Sequence, residues 1–365
     1  MLFRLKQSNL SLKMNKAIPG FRISTIFRLI LRNFELFWRD LFHLEYRPYK
    51  LLLKLTEYCN SKCQTCHIWK NDGTPKSEIN LSDLEPVLAD YGKNLFWVSL
   101  SGGEITLYKN FDELILLLKK HCPNLRIVTF TTNALKPEKA LDCAKKIKEQ
   151  GYDVFVTVSL DGDEKIHDFV RGIDGNYDLV MKTRRLLTEN SITTHFGLTV
   201  SRFNTEFFKN LTAEKFSDYR AVSFEHSGGI YKIAEFSSTD VLLPAIDKVA
   251  ELYRVKKISD LVELIYIKLA RVFFAGGKSR LPVPCEVIAS NLHISPKGEI
   301  KPCMYLPSLG QIRLNSLSEV LKSPQTRVLR NKALKGQCEK CWMNCYAPHS
   351  IMRHPFKALK KIFIS

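Results

Sequence analysis

Residues 51–66 read LLLKLTEYCNSKCQTC: an apolar run, then three cysteines, Cys59, Cys63 and Cys66, spaced x3 and x2. The run has the length and composition of a buried strand, so the cysteines stand on the loop directly behind it. Outward from there the same pattern recurs. After Leu51–Thr56, apolar or β-branched runs follow at Phe96–Leu100, Ile127–Thr132, Val154–Leu160, Thr193–Val200 and Ala221–His226. Helical patterns lie between them, near 81–91, 111–121, 136–149, 177–189 and 205–217. Six strands, each followed by a helix, predict a parallel βα array that right-handed crossovers curl into a barrel or part of one.

Glycine and polar residues gather at the strand ends. The cysteines follow the first strand, Ser101-Gly102-Gly103-Glu104 the second, Thr132-Asn133 the third and Ser159-Leu160-Asp161-Gly162 the fourth. All fall at the C-terminal mouth, where parallel barrels keep their active sites. Singly, Ser101 or Asp161 reads as a helix cap about as well; together at successive strand ends they point to one site.

The chain has 365 residues, 45% hydrophobic and 25% charged, an ordinary globular profile that excludes disordered and collagen-like classes. No apolar run approaches the ~18 residues of a membrane span. The N-terminus lacks the apolar core and cleavage site of a signal peptide, so a cytoplasmic protein is expected. Ten cysteines then suggest metal or catalysis rather than disulfides. Cys122 and Cys143 stand alone in helical patterns and read as small buried residues. The other eight form three groups: Cys59, Cys63 and Cys66; Cys285 and Cys303; Cys338, Cys341 and Cys345.

Three thiolates within eight residues can wrap a cubic iron–sulfur cluster with one iron left open, or a zinc completed by His67 or a distant residue. The combination of motifs resembles the radical S-adenosylmethionine (radical SAM) superfamily, in its SPASM/twitch subgroup. Cys59-x3-Cys63-x2-Cys66 matches the superfamily's cluster motif, and Ser101-Gly-Gly-Glu104 the motif after the second strand. Thr132-Asn133 resembles the third-strand Thr-Asn-Gly, with Ala134 in place of glycine. Ser159-Leu-Asp-Gly162 with His167-Asp168-x2-Arg171-Gly172 resembles the fourth-strand segment. The resemblance implies that Gly102, Gly103, Glu104, Asn133, Ser159, Asp161 and Arg171 contact SAM. In it Glu104 takes the methionine amino group, Ser159 and Asp161 hold ribose or carboxylate oxygens, and Arg171 pairs with the methionine carboxylate. Thr65 stands where an aromatic residue commonly packs near adenine, leaving His67, Ile68 or Trp69 to supply that surface.

Cys285, twelve residues, Gly298, four residues and Cys303, followed later by Cys338-x2-Cys341, reproduce the cysteine pattern of SPASM and twitch domains. The implied ligand set of one auxiliary cluster is Cys285, Cys303, Cys338 and Cys341, with Cys345 a substitute or a bystander; a four-cysteine zinc is the alternative. The expected fold is therefore α/β: a partial (β/α)6 TIM-like radical SAM barrel with a small C-terminal SPASM/twitch-like iron–sulfur domain. Expected boundaries are a basic helical extension (1–48), the barrel (49–235), a helical connector (236–284), the auxiliary-cluster domain (285–345) and a basic tail (346–365).

The implied cofactors are two [4Fe–4S] clusters and SAM, with flavodoxin or ferredoxin as electron donor. The implied reaction is reductive SAM cleavage to a 5′-deoxyadenosyl radical that takes hydrogen from a substrate: a small molecule, saccharide or lipid-linked compound, or alternatively a peptide or protein. Members acting on ribosomal peptides often carry an N-terminal winged-helix module, for which the residues before Cys59 are too short and too helical. The net charge of +18 is uneven. Residues 1–58 carry +7 and 346–365 carry +4, and 21–44 read as a helix mixing Arg with Phe, Ile and Leu. Such basic amphipathic ends suit peripheral association with an anionic membrane at the inner membrane surface, or packing on the barrel. No nucleic-acid partner is expected, since the groove-reading context is missing.

Overall fold

The computed structural model describes residues 23–42, 44–70, 78–226, 238–256, 258–276, 280–338 and 341–364. The start of the expected N-terminal helix (Phe21, Arg22) and Glu339-Lys340 lie outside the described residues. Six strands, β1 (Lys50–Lys54), β2 (Trp97–Ser101), β3 (Ile127–Thr132), β4 (Asp153–Ser159), β5 (Thr193–Val200) and β6 (Tyr219–Phe224), pair in parallel in chain order. The register shifts between Phe196 and Gly197, and β6 starts two residues before the expected Ala221.

The helices after these strands form the outer layer: α2 (Leu81–Tyr91), α3 (Phe111–His121), α4 (Pro137–Glu149), α5 (Glu164–Arg171) and α6 (Asn176–Glu189). α1 (Ile23–Leu41) precedes them all. The single helix expected over 205–217 is two short ones, α7 (Thr205–Lys209) and α8 (Ala213–Phe216). Leu211 turns into the core and Thr212 starts α8 as an N-cap, accepting from Lys215 N. α9 (Thr239–Leu252) and α10 (Ile258–Ala275) pack on each other and close the open side beyond β6.

The cysteine-rich C-terminal segment continues the barrel sheet. Its first strand, β7 (Asn291–Ile294), pairs in parallel with β1, and β8 (Glu299–Lys301) and β9 (Gly310–Gln311) extend the sheet antiparallel to nine strands. The turn between β7 and β8 is made by Gly298, at φ 78°, a conformation that favours glycine. α11 (Leu317–Lys322), α12 (Pro324–Leu334), α13 (Ala347–Arg353) and α14 (Pro355–Ile364) complete the chain. A buried ion pair holds this unit: Arg330 reaches Glu286 at 2.6 Å, both about 1% exposed, and donates to the Cys285 carbonyl at 2.7 Å. Trp342 stacks on Tyr266 of α10, and each donates a hydrogen bond to the other's carbonyl.

Candidate active site

The three-cysteine loop is held by its neighbours' backbones. Gly103 N donates to Thr56 O and Glu104 N to Tyr58 O. A Cβ on Gly103 would sit 2.0 Å from Tyr58 O, and one on Gly102, at φ 152°, 2.6 Å from Thr56 O. Both glycines are thus demanded by the approach of two loops. On the other side, Lys62 N and Ser61 Oγ donate to Arg171 O, and Gln64 N to Val170 O, so the end of α5 grips the same loop.

Glu104 is buried and its carboxylate is well occupied. Oε1 accepts from Thr106 N and Thr132 Oγ1, and Oε2 accepts from Asn133 N at 2.7 Å. Burial raises its pKa against those hydrogen bonds. Asn133 extends the tie, its Nδ2 donating to Asn60 Oδ1 at 2.9 Å and lying 3.8 Å from Cys59 Sγ. Ala134, where the resembling motif has glycine, takes φ 64°. An alanine there carries the strain that a glycine would not.

Ser159 lines the cavity described below, whereas Asp161 is fully buried and off its wall. The Asp161 carboxylate accepts from Thr199 N at 3.0 Å and pairs with Arg171 Nη2 at 2.8 Å. Asp161 N donates to His167 Nδ1, and His167 Nε2 faces Asn176 Oδ1; burial, with Arg171 beside it, lowers the His167 pKa to about 4. Arg171 is therefore braced from behind by Asp161. Its Nη1 lies 3.8 Å from Cys63 Sγ, and its buried Nε has no hydrogen-bond partner among the described residues. Burial pushes the Cys59 and Cys66 thiols up to about 12 and about 11. They remain thiols until a metal centre takes the protons' place.

A cavity of about 1080 Å³ runs from this loop down the barrel. At the cysteine end it is lined by Cys59, Cys63, Cys66, Gly102, Gly103, Glu104, Asn133, Ser159 and Arg171. Thr65, Ile68 and Trp69 are on the wall and His67 is not. Thr157, His195, Arg220 and His293 follow along the barrel, and Thr25, Leu29 and Asn33 of α1 border the far end. The sequence reading missed the lysines of β1. Lys50, Leu52 and Lys54 alternate onto the cavity wall, and the period of two in Lys50-Leu-Leu-Leu-Lys54 was the available signal. Lys50 Nζ lies 4.1 Å over the Trp97 ring and donates to His349 Nε2 at 3.2 Å. Burial lowers its pKa to about 8.

Cys285, Cys303, Cys338, Cys341 and Cys345 come together. Cys341 feels the charge of the other four, and burial with that crowding pushes its thiol well above the usual value. Of the five, Cys345 alone lines the barrel cavity, with Met304 and Met343 beside it. Cys122 and Cys143 are buried apart from both groups. The chemistry of the donors suits iron–sulfur clusters, with three thiols on one short loop and an unsatisfied guanidinium nitrogen suited to a carboxylate at the first centre, and five thiols at the second. Among the described residues no three of these groups are placed to hold a metal ion.

Two family models match the chain: the radical SAM superfamily over residues 53–209 and an iron–sulfur cluster-binding domain, SPASM, over 285–342. Among curated proteins it is 25% identical to the antilisterial bacteriocin subtilosin biosynthesis protein AlbA of Bacillus subtilis (strain 168) over 294 residues, covering 76% of this chain and 60% of AlbA. It is 28% identical over 165 residues to the sporulation killing factor maturation protein SkfB of the same strain, 44% of this chain and 38% of SkfB. The chain thus spans less than two thirds of the length of these relatives. The fold is shared with anSMEcpe bound to AdoMet and a Cp18Cys peptide (TM-score 0.58, 17% identity, 87% of this chain and 98% of that one). It is also shared with Streptococcus suis SuiB bound to precursor peptide SuiA (TM-score 0.55, 18% identity, 79% and 67%).

Proposed function

We propose that this chain, which belongs to the radical SAM superfamily and carries a SPASM domain, modifies a peptide by hydrogen abstraction inside the barrel cavity. The carrying observation is that one cavity joins the three-cysteine loop to Cys345 of the second cysteine group. About 1080 Å³ is room for SAM together with a side chain and its flanking backbone. AlbA, SkfB and SuiB are named for peptide products or bound to a precursor peptide, which favours a peptide over the small molecule, saccharide or lipid-linked compound first expected.

When bound, the cluster and SAM would supply a 5′-deoxyadenosyl radical on one-electron reduction, for which flavodoxin or ferredoxin would be the reductant. This chain's residues do the positioning. Arg171, braced by Asp161, would take the methionine carboxylate, and Ser159 and Asn133 line the cavity beside it. Gly102 and Gly103 keep the wall bare of side chains, and Ile68 and Trp69 offer the adenine an apolar surface. Cys285, Cys303, Cys338 and Cys341 would hold the auxiliary cluster, and Cys345 lines the cavity. Lys54, His195 and His293 present polar groups to the substrate, and burial keeps both imidazoles neutral. The basic termini favour peripheral residence on an anionic membrane, and among the described residues no helix is long and apolar enough to cross one.

The test has two parts. Anaerobically reconstituted protein with SAM and dithionite should yield 5′-deoxyadenosine. Mass spectrometry of the peptide fraction from cells expressing the wild type, against a Cys59/Cys63/Cys66→Ala variant, should reveal a peptide changed only in the wild type. A change confined to non-peptide metabolites would overturn the peptide assignment.

A further inference from the structure

α1 meets the barrel along one narrow stripe. Thr25 Oγ1 donates to Asp153 Oδ2 at 2.8 Å, and Leu36 is buried against Tyr49, Phe96 and Ile127 beneath the first strands. At 3.6 residues per turn, Phe27, Ile30, Leu31, Phe34, Trp38 and Leu41 fall on the opposite side with Phe37 at its flank, and all are 43–60% exposed. A helix on a protein surface ordinarily turns charges outward there. α14 repeats the inversion: Phe356 and Phe363 are 86% and 84% exposed, among exposed Lys357, Lys360 and Lys361. α13 joins the two helices, since Arg353 pairs with Asp40 and donates to Asn33 O at 3.2 Å.

An apolar surface of this extent marks a contact face, and charge selects the partner. Residues 346–365 hold four basic side chains and no acid, and residues 1–22, which lead into α1, add five basic side chains and no acid. A second copy of the same face would bring like charges together, and duplex nucleic acid presents phosphates and groove edges that leave a face of leucine, isoleucine and phenylalanine uncovered. An anionic bilayer answers both features, taking the rings below the headgroups and the lysines among them.

We infer that α1 and α14 form one docking face for an anionic lipid bilayer, with the floor of the barrel turned toward the lipid. The inference rests on the peripheral-membrane reading above and assigns its surface and orientation. Thr25, Leu29, Ile30 and Asn33 border the cavity as well, and Ile30 is at once cavity wall and exposed. Docking therefore brings the lower rim of the cavity to the headgroups and leaves the three-cysteine loop at the far end. A substrate tethered in the membrane would enter from below.

The experiment uses the full chain with sucrose-loaded vesicles of phosphatidylcholine, alone or mixed with phosphatidylglycerol, at low and high salt. Wild type should pellet only with the anionic vesicles and release in salt. Phe34→Glu/Phe37→Glu should lower the partition about tenfold or more by placing charge in the buried face. Lys357→Gln/Lys360→Gln should lower it roughly fivefold per lysine at low salt. Leu116→Glu, an exposed residue of α3, should not change it, and circular dichroism confirms that each variant is folded. Wild type left in the supernatant with anionic vesicles would overturn the membrane reading and this surface together. Wild type that pellets while the α1 and α14 variants pellet equally would overturn the surface alone. Dimerisation of wild type that the Phe34/Phe37 variant abolishes would replace the bilayer with a second copy.

Discussion

Arg171→Ala separates the binding role of Arg171 from its structural one. The guanidinium is 13% exposed and faces a carboxylate that is 0% exposed. Deleting it leaves Asp161 with the Thr199 N–H as its side-chain donor. Removing one member of a buried pair typically costs about 3–5 kcal/mol, because the remaining charge is uncompensated. If Arg171 takes the SAM carboxylate as proposed, SAM should lose a charge-assisted partner worth roughly 1.5–3 kcal/mol, or about 10- to 150-fold in Kd. The two losses are distinguished by a second variant, Asp161→Asn/Arg171→Met, which removes both charges. It should recover most of the urea resistance lost in Arg171→Ala while SAM affinity, read by equilibrium dialysis on reconstituted protein, stays low. Iron content should remain near wild type in the double variant, since the cysteines are untouched. Wild-type SAM affinity in either variant would refute the carboxylate role. Equal weakness and equal instability in both would show that Arg171 acts only by bracing α5 on the cysteine loop.

Reconstituted wild type should bind about eight irons per chain, two cubanes, and Cys59/Cys63/Cys66→Ala about half with no 5′-deoxyadenosine; stoichiometric zinc in protein purified anaerobically would contradict this. Gly103→Ala should lose the first cluster and keep the second, because its Cβ would lie 2.0 Å from Tyr58 O; iron analysis with electron paramagnetic resonance reads the outcome. Burial raises Glu263 to about 8, so the folded protein holds a proton that the unfolded chain releases near the ordinary glutamate pKa. Its contribution is full below about pH 4.5 and is lost as pH rises through about 8. Glu263→Gln should flatten the fall in urea resistance across that window, and an unchanged slope would count against the burial.

The local parts of this protein were legible in the order of its residues. A strand, its following helix and the loop between them are written within some thirty residues, in apolar period, glycine and cap. Hence all six barrel strands and the loop of Cys59, Cys63 and Cys66 were expected from sequence and stand in the structure. The departure at Ala134 could be seen as well, but only φ 64° shows that an alanine is held where glycine fits better. What tertiary structure decided are contacts between residues far apart in the chain, whose partners no local pattern names. β7 joins β1 across some 240 residues, so the iron–sulfur domain continues the barrel sheet instead of standing beside it. Lys50 meets His349, 299 residues further along the chain, because folding packs α13 beside β1. Cys345 shows the division most clearly. Its spacing after Cys341 left it a substitute or a bystander, and only the packing of α13 against α1 and α10 turns it toward the cavity. Local patterns are set by the chain's own short-range sterics; which surfaces then face one another depends on burying the whole apolar area at once.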